Sequence, residues 1–251
     1  MPQRHDRRSA RVWITGSSDG LGYAAAKTLL EQGHEVVVHV RSRSRLPSVG
    51  ELVASGASVT IGDLADLAQI RDLCAQVNAI GPMDAVIHNA GILSGPGVLL
   101  VNVVAPYLLT ALIQRPRRLI YLSSGMHASA SADLTGVDWS GRTSTGNYSD
   151  SKLFVTALAA AVARLWPDVI SNAVNPGWVP TKMGGANAPD DLRLGQVTQT
   201  WLAVSQDAQA LTTGGYWHHR HRQQPHPAVT DARFQDQLLD ELARFTGTPL
   251  G

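Results

Sequence analysis

The strongest constraint on this chain is an alternation. Six short apolar runs are separated by longer stretches whose apolar residues recur at three- and four-residue spacing. The runs are Arg11–Gly16 (RVWITG), Glu35–Arg41 (EVVVHVR), Ser58–Asp63, Asp84–Gly91, Arg118–Ser124 and Ile170–Gly177. Continuous hydrophobicity of this kind marks strands buried on both faces, the habit of parallel sheets. The stretches Gly20–Gln32, Asp66–Ala79, Val98–Gln114 and Asn147–Trp166 have helical periodicity. Strand–helix alternation with right-handed crossovers implies an α/β fold, a doubly wound parallel sheet with helices on both faces. About seven strands are expected if Gly215–Arg220 (GYWHHR) is the last, and Val229–Thr246 reads as a closing helix. No Pro/Gly/Ser-rich linker divides the chain, so residues 11–251 read as one domain, with residues 1–10 as a flexible segment ahead of it.

Composition narrows the function. The 251 residues are 44% hydrophobic and 16% charged, enough for a full core without staples. Twenty-one basic and 20 acidic residues leave a formal charge of +1, which argues against a nucleic-acid partner. The single cysteine, Cys74, excludes an internal disulfide and a cysteine-based zinc site, and it reads as a small buried hydrophobe. No apolar run approaches the roughly 20 residues of a membrane span. The first ten residues lack the apolar core of a signal peptide, so a cytoplasmic location is expected. Monomer and homo-oligomer both remain open.

The turn after the first strand reads Thr15-Gly16-Ser17-Ser18-Asp19-Gly20-Leu21-Gly22. Glycines there allow a tight turn and close backbone approach, and the following helix offers free N–H groups to a diphosphate. The alternative is that these glycines serve only strand–helix packing. The second strand ends in His39-Val40-Arg41-Ser42-Arg43-Ser44-Arg45. An acid there would suit the ribose hydroxyl of NAD, whereas arginines suit the 2′-phosphate of NADP. Arg41 and Arg43 therefore point to NADP(H), against the alternative of a solvated basic loop.

Tyr148 and Lys152 stand four apart at the start of a helix and share a face. A lysine ammonium near the phenol lowers its pKa from about 10 and makes it an acid/base near neutrality. Ser124 closes the fifth strand, where ligands bind in such sheets, and its hydroxyl suits a reacting oxygen. The plainer readings are an exposed helix pair and a capping serine.

In this order the motifs resemble the short-chain dehydrogenase/reductase family, over Arg11 to about Arg244. The resemblance rests on the TGSSDGLG turn, Gly62-Asp63-Leu64, His88-Asn89-Ala90-Gly91, Asn102, Ser124, Tyr148 with Lys152, and the run from Asn175 to Thr181 (NPGWVPT). It is similar to the classical branch, and within it to retinol-dehydrogenase-like and protochlorophyllide-reductase-like members. Ser123-Ser124 followed by His127, the long gap from Ser124 to Tyr148 and the tail from Gly214 carry that likeness. The resemblance implies a Rossmann domain and an NADP-dependent oxidoreductase acting on a small carbonyl or alcohol. It implies a catalytic set of Ser124, Tyr148, Lys152 and Asn102, the last supporting a water-mediated proton relay. Gly16, Ser17, Ser18, Gly20, Leu21 and Gly22 would cradle the cofactor. Arg41, Arg43, Asp63 and Leu64 would hold its adenosine end. Asn89, Ala90, Gly91, Pro176, Gly177, Val179 and Thr181 would complete the site with Tyr148 and Lys152. Residues 182–206 would form a mobile substrate lid.

Two departures stand out. His88 replaces the family's usual asparagine, which changes a buried hydrogen bond. Only Ile92 to Val101 separate Gly91 from Asn102, a shortened loop that puts the placement of Asn102 in question. The rival reading is a catalytically silent dinucleotide-binding sensor or scaffold. The histidines at 218, 219, 221 and 226 lack interleaved ligands, so no metal is expected. Asp133 and Asp138 read as solvated loop acids. Trp139, Trp178 and Met183 are candidates to line an apolar pocket, with core or loop packing as the alternative.

Overall fold

The computed structural model describes residues 9–251. Most of the segment expected to be flexible falls on residues 1–8, outside that range. Ser9 and Ala10 are tied down: the Ser9 hydroxyl donates to Gly33 O (3.1 Å) and the Ala10 N–H to His34 Nδ1 (3.1 Å).

The six apolar runs become strands β1 (Arg11–Ile14), β2 (Glu35–Val40), β3 (Ser58–Ile61), β4 (Ala85–His88), β5 (Arg118–Leu122) and β6 (Ile170–Asn175). Two short strands follow, β7 (Tyr216–His218) and β8 (His221–Gln223). The sheet order is β3-β2-β1-β4-β5-β6-β7-β8, parallel except for the antiparallel β7/β8 pair. The expected seventh strand is therefore a hairpin and the sheet has eight strands. Its two-residue loop, His219-Arg220, has φ of 47° and 63°, the conformation that matches the twist of paired strands. Neither residue is a glycine or asparagine, so no turn signal announced it.

Side chains alternate across each strand and build two cores. Val12, Ile14, Val36, Val38, Ile87 and Ile120 face helices α1 (Gly20–Glu31) and α6 (Leu192–Val204). Trp13, Val37, Val86, Leu119 and Tyr121 face α3 (Leu67–Ile80), α4 (Ala105–Leu112) and α5 (Tyr148–Leu165). A short helix, α2 (Gly50–Ala54), follows a 3₁₀ turn over Arg43–Val49; neither is visible in the periodicity. Helix α7 (Ala232–Thr246) lies over α5.

Helix α5 has little polar face. Every residue from Ser151 to Ala159 is buried, as an apolar-all-round helix must be. Sheet, loop and α7 surround it, and Phe154 packs between Trp139 and Phe234 at ring separations of 5.8 and 6.1 Å. Trp139 is thus a core residue, not a pocket wall.

Part of the expected lid is also core. Residues 192–204 form α6, whose Trp201, Leu202 and Ala203 are buried against the sheet side. A helix anchored this way cannot swing as a lid, which leaves Lys182 to Asp191, with Ser205 and Gln206, outside regular structure. Arg118 fixes the end of α6 by donating to the carbonyls of Leu202 (2.9 Å) and Ser205 (2.8 Å).

Strands β1 and β4 are neighbours whose onward connections leave in opposite directions. A crevice opens where such strands part, at their carboxyl ends. Phe154→Ala should lower unfolding free energy by about 3–5 kcal/mol in urea titrations, since the void lies between two rings and cannot collapse.

Candidate active site

A cavity of about 400 Å³ occupies that crevice. Its floor is the glycine turn, and its far end is the start of α5.

The turn is built for close approach. A Cβ on Gly22 would sit 2.4 Å from Asn89 Nδ2 and 2.5 Å from Gly16 O. Gly16 has φ +66° and a Cβ there would press on the Ala90 backbone at 2.9 Å. Asn89 Nδ2 donates to Thr15 O (2.9 Å) and Gly16 O (3.3 Å), while Thr15 Oγ1 accepts the Asn89 and Ala90 N–H groups (3.0 Å each). Asp19 caps α1, its carboxylate accepting the Gly20 N–H at 2.8 Å. The next first-turn N–H group, that of Leu21, has no intrahelical acceptor, and Gly20 and Leu21 both line the cavity. Ser18 also lines the wall; Ser17 does not, because its hydroxyl is buried and donates to Ile14 O.

The arginines divide. Arg41 lines the cavity. Arg43 begins the 3₁₀ turn and is exposed away from it. Arg45 swings back instead, its guanidinium donating to the Ser18 hydroxyl at 3.5 Å. An extended strand would put 41, 43 and 45 on one side; coiling after Ser42 selects 41 and 45. Asp63 and Leu64 line the same end, with the Asp63 carboxylate accepting the Ala65 N–H at 3.0 Å.

At the other end stand Tyr148 and Lys152. A capping box places the first: Asn147 accepts the Asp150 N–H (3.0 Å) and Asp150 accepts the Asn147 N–H (3.1 Å). Lys152 is buried, donates from Nζ to Leu122 O (2.7 Å) and lies over the Tyr148 ring at 5.4 Å. Burial pushes the Lys152 pKa down to about 8. The expected lowering of the Tyr148 pKa is not found. Burial raises it, and the hydrogen bond with Ser124 opposes only part of that rise. The ammonium is spent on a carbonyl and the ring face, so desolvation of the phenol wins. Ser124 also caps the following 3₁₀ turn, accepting the Met126 N–H at 3.2 Å.

The shortened loop leaves Asn102 in place. Its Oδ1 accepts the Ile92 N–H (2.8 Å), and its Nδ2 donates to Ile92 O (2.9 Å) and Ser151 Oγ (2.9 Å). Both ends of the loop are thereby pinned. A Cβ on Gly91 would lie 3.2 Å from Asn102 Oδ1 and 3.6 Å from Lys152 Nζ, so the two residues flank that glycine. Asn102 sits in a π-helical turn, Leu100–Val104, running into α4. Pro106 has no N–H to offer the carbonyl four residues earlier, that of Asn102. His88 is buried, stacks on Tyr121 at 4.6 Å and bonds Thr110 through Nε2 (3.2 Å). Burial takes its pKa down to about 3, which keeps it neutral.

Pro176, Thr181, Lys182 and Met183 close the rim. Gly177 and Val179 shape the loop behind it, where Trp178 and Asp190 exchange backbone and carboxylate bonds at 2.6 and 3.1 Å. Lys182 forms an ion pair with Asp19, which lowers the Asp19 pKa. Trp178 is exposed, its indole donating to Gly184 O at 2.8 Å. Asp138 knots its own loop through Ser140 and Thr143 and does not reach the cavity. Among the described residues, no group of three His, Cys, Asp or Glu side chains is placed to hold a metal.

Comparison with known proteins agrees with this geometry. A family model for short chain dehydrogenases matches residues 10–115. The short-chain dehydrogenase chry4 of Gibberella zeae is 38% identical over 256 aligned positions, covering 96% of this chain and 98% of the relative. The chain belongs to the short-chain dehydrogenase/reductase family. A protein of Mycobacterium paratuberculosis shares the fold with a TM-score of 0.80 at 24% identity, over 98% of this chain and 97% of that one. A blue fluorescent protein from a metagenomic library, solved in complex with NADPH, shares it with a TM-score of 0.69 at 23% identity, over 85% and 97%.

Members of this family of oxidoreductases bind a nicotinamide dinucleotide, and the cavity offers one a tight turn whose glycines at 16 and 22 have no room for a side chain. Gly22→Ala should abolish dinucleotide binding in a calorimetric titration. The far-ultraviolet circular dichroism should stay unchanged, because the clash falls on the turn and not on either core.

Proposed function

We propose that the protein is an NADP(H)-dependent oxidoreductase that interconverts a carbonyl and an alcohol on a small molecule. The observation that carries this reading is one cavity with Arg41 and the glycine turn at one end and Tyr148 and Lys152 at the other, with Ser124 hydrogen-bonded to Tyr148. When bound, the nicotinamide supplies or accepts the hydride. The chain's own groups handle the oxygen. The Tyr148 phenol gives a proton to the carbonyl oxygen, or takes one from the alcohol. Ser124 holds that oxygen by hydrogen bonding. Lys152 binds the neighbouring ribose and returns the proton through a water held at Asn102. Asp63 meets the adenine, and Thr181 the carboxamide. Arg41 and Arg45 bind the 2′-phosphate, with no acid at the end of β2 to repel it. Arg45 replaces Arg43 in this role because it faces the turn.

The substrate side carries exposed apolar side chains. Leu93, Met126, Trp178 and Met183 stand on the loops that follow β4, β5 and β6, where the reacting oxygen would lie. A substrate with an apolar body suits that rim.

Tyr148→Phe should lower kcat by about 10³-fold, with the Kd for NADPH within about twofold of wild type. Turnover near the wild-type rate would refute the mechanism; no turnover by the wild type with any carbonyl would favour a silent sensor. Arg45→Ala and Arg41→Ala should each weaken NADPH binding by about tenfold and leave NADH binding unchanged. Equal loss for both cofactors would exclude the 2′-phosphate role.

A further inference from the structure

His39 is a buried histidine in the wall of the cavity, at the end of β2. Four hydrogen bonds join it to its surroundings. Its Nδ1 accepts the Gly16 N–H (3.0 Å), and its Nε2 bonds Gly62 O (2.8 Å). Its backbone N–H donates to Ser17 Oγ (3.1 Å), and its carbonyl accepts the Ser17 N–H (3.1 Å). Trp13 fixes the ring from the side, edge to face at 6.4 Å. The partners settle the tautomer. A backbone N–H can only donate and a carbonyl can only accept, so Nδ1 is bare and Nε2 carries the proton.

We propose that His39 is a positioning residue for the dinucleotide: its neutral imidazole clasps the glycine turn to the Gly62-Asp63 end of β3, and a proton on Nδ1 opens the clasp. This rests on the cofactor reading given above. The two loops joined by the ring lie on either side of the cavity, one expected to meet the diphosphate and the other the adenine. A side chain that bonds both sets the gap between them. Protonation at Nδ1 would set two N–H groups head to head and push Gly16 away. Asp63 is the charged group acting on the ring, and it favours the proton; burial opposes it and prevails. Arg41 and Asp19 line the same cavity. The clasp is therefore closed at neutral pH and fails only on the acid side of the ordinary histidine range, below about 6.5.

The test is calorimetric titration of the whole protein with NADPH between pH 5 and 8, on wild type, His39→Asn and His39→Leu. The Asn Oδ1 stands where Nδ1 stood and accepts from Gly16 without titrating. His39→Asn keeps the Gly16 bond but not the Gly62 bond, so it should bind about threefold more weakly than wild type at pH 7.5 and lose the ring's share of the acid decline, which approaches about tenfold per pH unit. The 2′-phosphate titrates alike in both proteins and cancels in the comparison. His39→Leu should bind about tenfold more weakly at pH 7.5. Identical acid profiles for wild type and His39→Asn would overturn the clasp, as would wild-type affinity in His39→Leu. If His39→Leu does not fold, the first comparison decides alone. A wild type that binds neither NADPH nor NADH at any pH would overturn the cofactor reading, and the role of His39 with it.

Discussion

Everything at the site hangs on the knot between β1 and β4. These strands pair along their length and then send their chains to opposite faces of the sheet. Thr15 and Asn89 tie them at the parting point, through bonds that use both backbones and both side chains. The knot leaves no volume for side chains, which is why glycines stand at 16 and 22. The same compression exposes backbone N–H groups where a diphosphate can reach them. Packing and ligand recognition are here one constraint, so a substitution that relieves crowding also removes the cradle.

At the opposite end of the cavity, burial and charge compete. Lys152 is nearly sealed in, and its ammonium is stabilised by the Leu122 carbonyl and the Tyr148 ring. Burial of the phenol outweighs its hydrogen bond with Ser124, and its proton is held more tightly than in water. The chain thus sets the tyrosine as a proton holder. Releasing that proton needs an additional positive charge near the ring, and the open cavity is the place from which it can come.

Much of this was legible in the sequence because it is local. The glycine turn, the six core strands and the start of α5 follow from period, turn chemistry and capping. Asn147 and Asp150 mark the helix start that places Tyr148. What escaped depends on tertiary contact. Arg43 and Arg45 look equivalent until the chain coils between them. Helix α6 falls within the stretch expected as a lid, because the burial that makes it a core helix comes from the sheet opposite. The β7/β8 hairpin turns on His219 and Arg220, which carry no turn signature. The Tyr148 pKa runs against the simple reading of a lysine four residues on, since spacing does not reveal where an ammonium spends its bonds. His39 carries no signal in the sequence, because its partners lie 23 positions away on either side.

The enclosure of α5 has a consequence for biosynthesis. The helix bearing Tyr148 and Lys152 has one side covered by α7, more than sixty residues further along the chain. A ribosome delivers strands β1 to β6, the glycine turn and the reactive pair well before it delivers that cover. Until then the apolar flank of α5 is open to water and to other nascent chains. The cradle for the nucleotide can form early; the full enclosure of α5 must wait for the last helix.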